Sequence, residues 1–391
     1  MPRAFLIVID SVGIGGAPDA DQFFNGDLPD TGANTLAHIA RDAGLNVPTL
    51  DALGLGAAVK LASGEEAAGL GAVPTGAWGA ATEVSRGKDT PSGHWELAGV
   101  PVPWEWHVFP DADPAFPDDL TALICKLAGT EGILGNRHAS GTVVIEEEGE
   151  AHLKTGWPIC YTSADSVLQI AAHEEAFGLE RLLTLCKNLA PTLHAMKVGR
   201  VIARPFVGEV GHFSRTGNRK DFAIAPPSPT ICDYVHDAGR MVHAVGKIGD
   251  IFSMRGIDDL RKGKDAVLMQ HIGDLAEEAA DGAFVFANLV EFDSEYGHRR
   301  DPAGYGKHLE WFDAALADLL PKLRSDDLLI VTADHGNDPT WAGTDHTRER
   351  VPVLVHGVGA KALGQIGFVD VAASIAAHLN VPFAGKGKSF L

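Results

Sequence analysis

The segment AFLIVIDSVGIGG at residues 4–16 is the most informative about the class of fold. It opens with the apolar run AFLIVI, reaches Asp10 and continues into a glycine-rich turn. An unbroken apolar run of this kind is typical of a parallel strand that is buried on both faces. Similar apolar runs return late in the chain, over residues 283–292, 328–333 and 351–355.

Apolar residues at helical spacing alternate with these runs. They predict helices over 308–323 and 369–379,. Strands that alternate with helices indicate an α/β fold, with a mostly parallel sheet flanked by helices. Ligands of such sheets bind beyond the carboxyl ends of the strands, so we expect Asp10, Asp293 and Asp334 to meet at one edge. A single aspartate there is more often a turn or cap residue, but three with neighbouring histidines favour a functional site.

The middle of the chain has a different composition. Proline, tryptophan and turn-forming residues cluster near both of its ends, and short mixed stretches lie between them, with a helical pattern over 165–190. We predict an α+β domain inserted at 102–222. The residues on either side, 1–101 and 223–391, would then form one discontinuous core.

The composition excludes several classes of partner. The 391 residues carry a formal net charge of −20, which disfavours binding to nucleic acid or to an anionic membrane surface. No apolar run approaches the roughly 20 residues of a membrane helix, and the N-terminus lacks the features of a signal peptide. The four cysteines are far apart in sequence and predict no disulfide framework,. We therefore expect a cytoplasmic protein that binds neither nucleic acid nor membrane.

Six acidic and imidazole side chains lie at or near the predicted strand ends: Asp10, Asp293, His298, Asp334, His335 and His346. Carboxylate and imidazole ligands together suit Mn²⁺ or Zn²⁺ better than Mg²⁺. Six ligands are too many for one tetrahedral site, but they suit a pair of metal ions. Such a pair can clamp a phosphoryl group and stabilise both its attacking and its leaving oxygen.

The segment GKDTPSGHWE at residues 87–96 offers a nucleophile. Pro91 suits the first position of a helix, so we expect Thr90 to be the N-cap and to face the crevice beyond the sheet. Metal ions would activate a threonine hydroxyl, and a helix N-terminus would favour a phosphate attached to it. The spacing alone leaves open the alternative that Thr90 only caps the helix.

Four long motifs closely resemble those of the phosphopentomutase family, in the alkaline phosphatase superfamily: DSVGIGGAPDA at 10–20, GKDTPSGHWE at 87–96, FDSEYGHRRD at 292–301 and TADHGNDPTWAGTDHTRERVPVLV at 332–355. The resemblance runs over essentially the whole chain and includes RVIARPFVG at 200–208. It implies an alkaline-phosphatase-like core with an inserted cap domain. It also implies an isomerase that moves a phosphoryl group between two positions of a pentose.

The resemblance gives each candidate ligand a role. The ligands of one manganese ion are matched by Asp10, Asp334 and His335. The ligands of a second are matched by Asp293, His298 and His346. Thr90 matches the threonine that carries a phosphoryl group and that reaches between the two ions. Two Mn²⁺ ions per chain are therefore expected.

Candidates for substrate binding come from both predicted domains. The resemblance places TSADSV at 162–167 against the pentose, and the candidates there are Ser163, Asp165 and Val167. It places Lys247 at the distal phosphate. Basic residues near a lid would anchor the non-reacting phosphate, and the basic run that begins RPFVG offers Arg204, Arg215 and Arg219. The alternative for these arginines is a solvated position on the surface.

The implied reaction interconverts the 1-phosphate and 5-phosphate of ribose or 2-deoxyribose. It passes through a phosphothreonine enzyme and a pentose bisphosphate, and a pentose or hexose bisphosphate would activate the enzyme. The nearest alternative is a metal-dependent phosphatase on the same core. A non-catalytic metal-binding protein is a more remote alternative, because no ligand or nucleophile of the family pattern is missing.

Overall fold

The computed structural model describes residues 1–163 and 165–391. The chain divides into two compact units. The core unit consists of Met1–Pro103 and Pro226–Leu391, and the insert unit is Trp104–Ala225. The domain predicted at 102–222 falls on the insert unit, and its role as a cap stays a prediction.

The strands and α-helices of both units are numbered in chain order. The strands are, in chain order, β1 (Ala4–Ile9), β2 (Phe24–Asn25), β3 (Leu28–Pro29), β4 (Ala77–Thr82), β5 (Leu134–His138), β6 (Ile159–Thr162), β7 (Val167–His173), β8 (Arg200–Val207), β9 (Ser214–Arg215), β10 (Lys220–Ala223), β11 (Val242–Val245), β12 (Asp259–Arg261), β13 (Phe284–Leu289), β14 (Leu328–Thr332), β15 (Val351–His356) and β16 (Lys361–Gly367). The α-helices are α1 (Thr35–Ala43), α2 (Pro48–Leu53), α3 (Leu55–Ser63), α4 (Thr90–Leu97), α5 (Asp118–Ala128), α6 (Gly141–Thr155), α7 (Leu179–Ala195), α8 (Ile231–Asp237), α9 (Ile248–Ile251), α10 (Asp265–Glu278), α11 (Pro302–Leu319) and α12 (Val369–Leu379).

The core unit is built on an eight-stranded sheet with the order β12-β11-β13-β1-β14-β15-β4-β16. The strands from β12 to β14 in this order pair in parallel, β15 runs antiparallel to both of its neighbours, and β16 is parallel to β4. Every residue of β1, β13 and β14 is buried, as expected of strands covered on both faces,. The predicted α/β class with a mostly parallel sheet is confirmed.

Several predicted elements have the bounds expected of them. The strand at 4–9 is β1 and the helix at 369–379 is α12. Helix α11 begins earlier than predicted, at Pro302, because Asp301 caps it and accepts a hydrogen bond from the Gly304 N–H. Proline is well suited to this first helical position, since its fixed φ matches the helix. In the described part of the chain, no helix has both the length and the apolar character needed to cross a bilayer.

The insert unit has a mixed sheet of its own, with the order β10-β8-β7-β6-β5 and with β9 paired to β8. Helices α5 and α7 contribute to an apolar cluster that includes Cys160 and Ile170 of the sheet. Helix α6 contributes to a second cluster, with Ile159 and Ala171. Because neighbouring side chains of a strand point to opposite faces, the two clusters lie on opposite sides of the sheet.

The helix predicted over 165–190 is wrong in its first half. Residues Val167–His173 form β7, and α7 begins only at Leu179. β7 pairs with both β6 and β8 and is buried at every residue. A strand buried on both faces loses the alternation of polar and apolar residues, so pairing with its neighbours decided its structure.

Candidate metal centre and active site

Two central strands deliver the first pair of acidic side chains. Asp10 directly follows β1, and Asp334 lies just beyond the end of β14. These strands pair in parallel, so their carboxyl ends lie side by side,. Both aspartates are fully buried. They lie at the edge of the sheet where the sequence predicted a site.

Asp293 reaches the same edge by a different route from the one predicted. β13 pairs in parallel with β1 but ends at Leu289, so Asp293 does not terminate the strand. It lies instead in a π-helical turn, Phe292–Gly297, which His298 follows directly. Such turns are rare in proteins, and those that occur often lie at functional sites. One wide turn thus carries both candidate ligands of the DSEYGH motif.

His346 comes to this edge because β15 runs antiparallel to β14. The segment before β15 therefore lies beside the carboxyl ends of the parallel strands. Glu349 fixes that segment, because its carboxylate accepts hydrogen bonds from the N–H groups of Gly15 and Thr35, each at 3.0 Å. The strand predicted at 351–355 is present, but its direction could not be predicted from its apolar pattern.

Asp10, Asp334 and His335 form what we call the inner group. One oxygen of each carboxylate is held: the Asn288 amide donates to Asp10 Oδ2 at 2.8 Å, and the Ser11 N–H donates to Asp334 Oδ1 at 3.1 Å. The other two oxygens, Asp10 Oδ1 and Asp334 Oδ2, are buried without a hydrogen-bond partner. They lie 3.5 and 3.2 Å from His335 Nε2. Unpaired buried oxygens around a ring nitrogen fit a metal cation.

Asp293, His298 and His346 form the outer group. His298 Nε2 lies 3.1 Å from Asp293 Oδ2 and 3.2 Å from His346 Nε2. His346 Nε2 lies 3.4 Å from Asp293 Oδ1, which also accepts a hydrogen bond from the Asn337 amide at 2.7 Å. Arg300 in turn donates to Asn337 Oδ1. The His298 side chain is 40% exposed, so this group reaches solvent.

The three histidine rings are oriented in the same way. Each Nδ1 lies within hydrogen-bond distance of a backbone carbonyl: His335 with Gly336 at 3.1 Å, His298 with Thr344 at 2.6 Å, and His346 with Lys88 at 2.7 Å. A carbonyl only accepts, so each Nδ1 carries a hydrogen, and each Nε2 faces the centre, where it can donate its lone pair to a cation. Histidine ligands of metals are usually oriented by such a second hydrogen bond.

His335 adjoins both groups. Its ring centroid lies 3.9 Å from that of His346. Ligand atoms of Asp10, Asp334 and His335 lie within 4.8 Å of one another, and so do those of Asp293, His335 and His346. His335 therefore lies between the two groups, whereas the resemblance assigns it to the first alone. The donor set as a whole fits two neighbouring cations.

Without bound cations, the buried groups of this centre have shifted pKa values. Burial, together with the carboxylates of Asp334 and Asp293, raises the pKa of Asp10 to about 7. Burial disfavours the charged forms of Asp334 and His335, but the attraction between them outweighs it. The pKa of Asp334 is therefore lowered, and the pKa of His335 is raised well above its usual value. The metal-free centre retains protons that a divalent cation would displace.

Thr90 begins α4, but it is not the N-cap that the sequence predicted. The N-cap is Asp89, whose carboxylate accepts a hydrogen bond from the Ser92 N–H at 3.1 Å. Thr90 is therefore the first helical residue. Its Oγ1 lies 3.3 Å from His335 Nε2. The hydroxyl thus lies beside the histidine that adjoins both ligand groups.

The GHW part of the motif holds α4 against the core. A Cβ added to Gly93 would lie 2.1 Å from the Asp334 carbonyl oxygen, so a larger residue would push the helix away. Trp95 is buried and donates from Nε1 to the Ile251 carbonyl at 3.0 Å. The position of Thr90 therefore depends on close packing along the whole helix.

Asp265, Glu291 and His308 form a hydrogen-bonded brace beside this centre. The Asp265 N–H donates to the Glu291 carboxylate at 3.2 Å, and the Glu291 N–H donates to the Asp265 carboxylate at 3.1 Å. His308 Nε2 lies 3.0 Å from the same Asp265 oxygen. The reciprocal bonds hold the backbone shortly before Asp293.

The remaining substrate candidates lie in both units. Ser163 is half-buried and follows β6, and Asp165 Oδ2 lies 3.7 Å from Arg200 Nη2. Val167 begins β7 with a buried side chain. Lys247 is exposed and follows β11, at the start of the short helix α9. Lys247 therefore belongs to the core unit, at the end of one of its parallel strands.

Arg204, Arg215 and Arg219 lie near enough to influence one another. Arg204 is half-buried and donates from Nε to Gln169 Oε1 at 2.7 Å. Burial lowers its pKa, and the charges of Arg219 and Arg215 contribute to the decrease. Arg219 also donates to both carboxylate oxygens of Asp221 at 2.7 Å. Clustered guanidinium groups are suited to binding a phosphate.

Three residues that support the candidate ligands were not predicted from the sequence. Asn337 lies in the ADHGN motif, and His94 lies in the GHWE motif, so both could have been considered. Asn288 gave no signal, because it lies inside the apolar run of β13. Its function depends on a partner that is far away in sequence.

Comparison with known proteins gives a consistent result. The chain matches the Metalloenzyme superfamily over residues 2–383. It is 51% identical over 413 residues to the phosphopentomutase of Rhizobium leguminosarum bv. trifolii (strain WSM2304), with 100% of both chains covered. It is 51% identical over 412 residues to the phosphopentomutase of Rhizobium meliloti (strain 1021), again with 100% of both covered. Among solved structures, a phosphoglycerate mutase of Leishmania mexicana covers 98% of this chain and 97% of its own, at 14% identity and a TM-score of 0.48, which is too distant to inform function.

Proposed function

Because this chain belongs to the phosphopentomutase family of metal-dependent isomerases, we propose that it interconverts the 1-phosphate and 5-phosphate of ribose or 2-deoxyribose. The proposed enzyme uses two Mn²⁺ ions and a phosphorylated Thr90. A pentose or hexose bisphosphate would supply the first phosphoryl group.

The inner and outer groups would hold the two ions. In support, two carboxylate oxygens of the inner group are buried without a partner. When bound, the ions supply positive charge that stabilises the phosphoryl oxygens and favours ionisation of a nearby hydroxyl. The residues themselves contribute a fixed geometry, because each histidine ring and each carboxylate is held by a hydrogen bond of its own,.

Thr90 would carry the phosphoryl group between the two half-reactions. In the first, the bond from phosphorus to Thr90 Oγ1 breaks and a bond to the free hydroxyl of the sugar phosphate forms, while the hydroxyl proton passes to Thr90. In the second, the bond from the other phosphorus to its sugar oxygen breaks and a bond to Thr90 Oγ1 forms, while the Thr90 proton passes to the sugar oxygen. The observation that carries the proposal is the distance of 3.3 Å from Thr90 Oγ1 to His335 Nε2, where the two ligand groups meet.

The substrate would be held by its second phosphate. Arg204, Arg215 and Arg219 of the insert unit, and Lys247 of the core unit, are the proposed anchors. Ser163, Asp165 and Val167 are the proposed contacts with the sugar. We further propose that the insert acts as a cap that excludes water, because a phosphothreonine exposed to water would be hydrolysed.

The direct test converts ribose 1-phosphate in the presence of Mn²⁺ and a catalytic amount of a hexose bisphosphate. We expect ribose 5-phosphate with little inorganic phosphate, and mass spectrometry should find a phosphate on Thr90. Thr90→Ala should lower kcat by at least about 10⁴-fold, since it removes the nucleophile. The variant should bind Mn²⁺, because the six other ligands are intact.

Thr121→Ala is the matched control, because Thr121 lies in the first turns of α5 in the insert unit. It should leave turnover unchanged. Inorganic phosphate as the main product would favour a phosphatase on the same core. Turnover near that of the wild type in Thr90→Ala would contradict the role of the hydroxyl.

A further inference from the structure

Two buried polar side chains connect the inner group to the helix that carries Thr90. His94 belongs to α4 and Asn288 to β13, and both are fully inaccessible to solvent. The Asn288 amide nitrogen lies 2.8 Å from Asp10 Oδ2 and 3.2 Å from His94 Nε2. On the other side of the ring, His94 Nδ1 lies 3.0 Å from the Thr90 carbonyl oxygen. A continuous series of hydrogen bonds therefore runs from the Asp10 carboxylate to the backbone carbonyl of Thr90.

The direction of each hydrogen bond follows from the chemistry of the groups. An amide nitrogen only donates, so Asn288 donates one hydrogen to Asp10 and His94 Nε2 accepts the other. The ring hydrogen of His94 is then on Nδ1 and is donated to the Thr90 carbonyl. Reversing the Asn288 amide would place its oxygen against the Asp10 carboxylate, which is unfavourable. The arrangement is therefore fixed by the carboxylate at its end.

This series of hydrogen bonds fixes the orientation of the Asp10 carboxylate. With Oδ2 held by Asn288, Oδ1 is left as the unpaired oxygen near His335 Nε2. Without this hydrogen bond, Asp10 would be free to rotate about its side-chain bonds, and the direction of its free oxygen would no longer be set. Supporting residues of this kind commonly change metal affinity by about 10–100-fold.

The same series of hydrogen bonds also fixes the backbone at Thr90. His94 Nδ1 lies 3.0 Å from the Thr90 carbonyl oxygen and 3.0 Å from Asp334 Oδ2, so its ring hydrogen faces both the backbone of Thr90 and this carboxylate. The His94 ring also stacks at 6.0 Å on Phe286 of β13, which restricts its orientation. The backbone at the first residue of α4 is thereby tied to the same strand as Asn288.

We propose that Asn288 and His94 are positioning residues that set both the free oxygen of Asp10 and the place of Thr90 relative to it. The inference rests on the proposed function, since it assigns these residues to the inner metal site. It predicts two separable effects. Loss of the Asn288 donor weakens metal binding, whereas loss of the His94 donor slows phosphoryl transfer.

The test uses two conservative substitutions in the full-length chain. Asn288→Asp keeps the shape and replaces the donor by an acceptor. His94→Gln retains an acceptor for Asn288 but has no donor in the place of Nδ1. Mn²⁺ alone is titrated into chelator-treated protein, and kcat and KM are measured separately at saturating Mn²⁺. His243→Asn is the control, because His243 is also buried on the core sheet and its Nδ1 lies 3.0 Å from the Asp259 carboxylate.

We expect Asn288→Asp to weaken the binding of one Mn²⁺ ion by about 10–100-fold. His94→Gln should keep Mn²⁺ affinity within about threefold and lower kcat by about tenfold or more, with KM unchanged, as expected for an interaction that matters in the transition state. His243→Asn should change neither quantity.

Unchanged Mn²⁺ affinity in Asn288→Asp, or a rise in KM alone in His94→Gln, would overturn the inference. If Asn288→Asp does not fold, His94→Gln decides by its separate effect on kcat. A wild-type protein that binds no Mn²⁺ would instead contradict the proposed function.

Discussion

The inner and outer groups of the candidate metal centre differ in what holds them. The inner aspartates follow the ends of two paired parallel strands and are inaccessible to solvent. The outer ligands come from a π-helical turn and from the segment before β15, and the His298 side chain is 40% exposed. The inner group is therefore positioned by the sheet, whereas the outer group is positioned by hydrogen bonds between loops.

The two groups should therefore respond differently to substitution and to loss of a cation. The sheet places Asp10 and Asp334 whether or not a cation is bound, because strand pairing fixes the backbone at their positions. The outer group depends on single bonds, such as those from His298 Nδ1 to Thr344 and from His346 Nδ1 to Lys88. We expect the outer metal to exchange more readily than the inner metal, because a group near solvent opens at a lower free-energy cost.

The largest expected effect is that of Asp334→Asn in the inner group. The substitution keeps the size of the side chain and removes its negative charge, so the bound cation loses a ligand and an electrostatic partner. We expect kcat to fall by about 10³-fold or more, a loss typical of removing a principal electrostatic stabiliser. Excess Mn²⁺ should not restore it. Asp318→Asn, at an exposed position of α11, is the control, and wild-type turnover in Asp334→Asn would be inconsistent with the inner site.

An intermediate effect is expected of His298→Ala in the outer group. Removing a partly exposed ligand should weaken one Mn²⁺ site by at least about tenfold and leave the other unchanged. Raising the Mn²⁺ concentration should recover much of the activity, in contrast to Asp334→Asn. His236→Ala is the matched control, because its side chain is 50% exposed and pairs with Asp258. Equal loss at both metal sites would contradict the independence of the two groups.

A third effect is on stability rather than activity and concerns Glu349, which joins the outer segment to the turn after β1. Burial, with a contribution from the Asp338 charge, raises its pKa from 4.5 to about 7. The folded state therefore holds this proton more tightly than the unfolded state. This tighter proton binding stabilises the folded state fully below about pH 4.5. The stabilisation is lost as the pH rises to about 7, which lowers the free energy of unfolding by about 3 kcal/mol.

The test compares the free energy of unfolding of wild type and Glu349→Gln between pH 4.5 and 7.5, in excess chelator so that metal binding does not contribute. The variant cannot titrate at this position. Its stability relative to the wild type should therefore increase as the pH rises, whatever the difference at pH 4.5. Parallel stability curves would show that Glu349 does not hold the extra proton.

Much of the fold and most of the candidate ligand set could be predicted from single segments. β1 and α12 have the predicted bounds, because a long apolar run and a regular helical spacing are local signals. The strand β7 was mistaken for a helix, since it is buried on both faces and has no alternation. Thr90 was placed one position too early in the helix, because Asp89 competes with it as a cap and binds the Ser92 N–H.

The available chemistry can be read from the chain alone: three aspartates, three histidines and a threonine in long, specific motifs. How these side chains meet depends on the folded structure. The antiparallel direction of β15 brings His346 to the edge where Asp10 and Asp334 lie, and Asn288 supports Asp10 across 278 positions of sequence. The physical reason is that residue types and local spacing are written along the chain, whereas strand direction and buried hydrogen bonds depend on which distant segments pair.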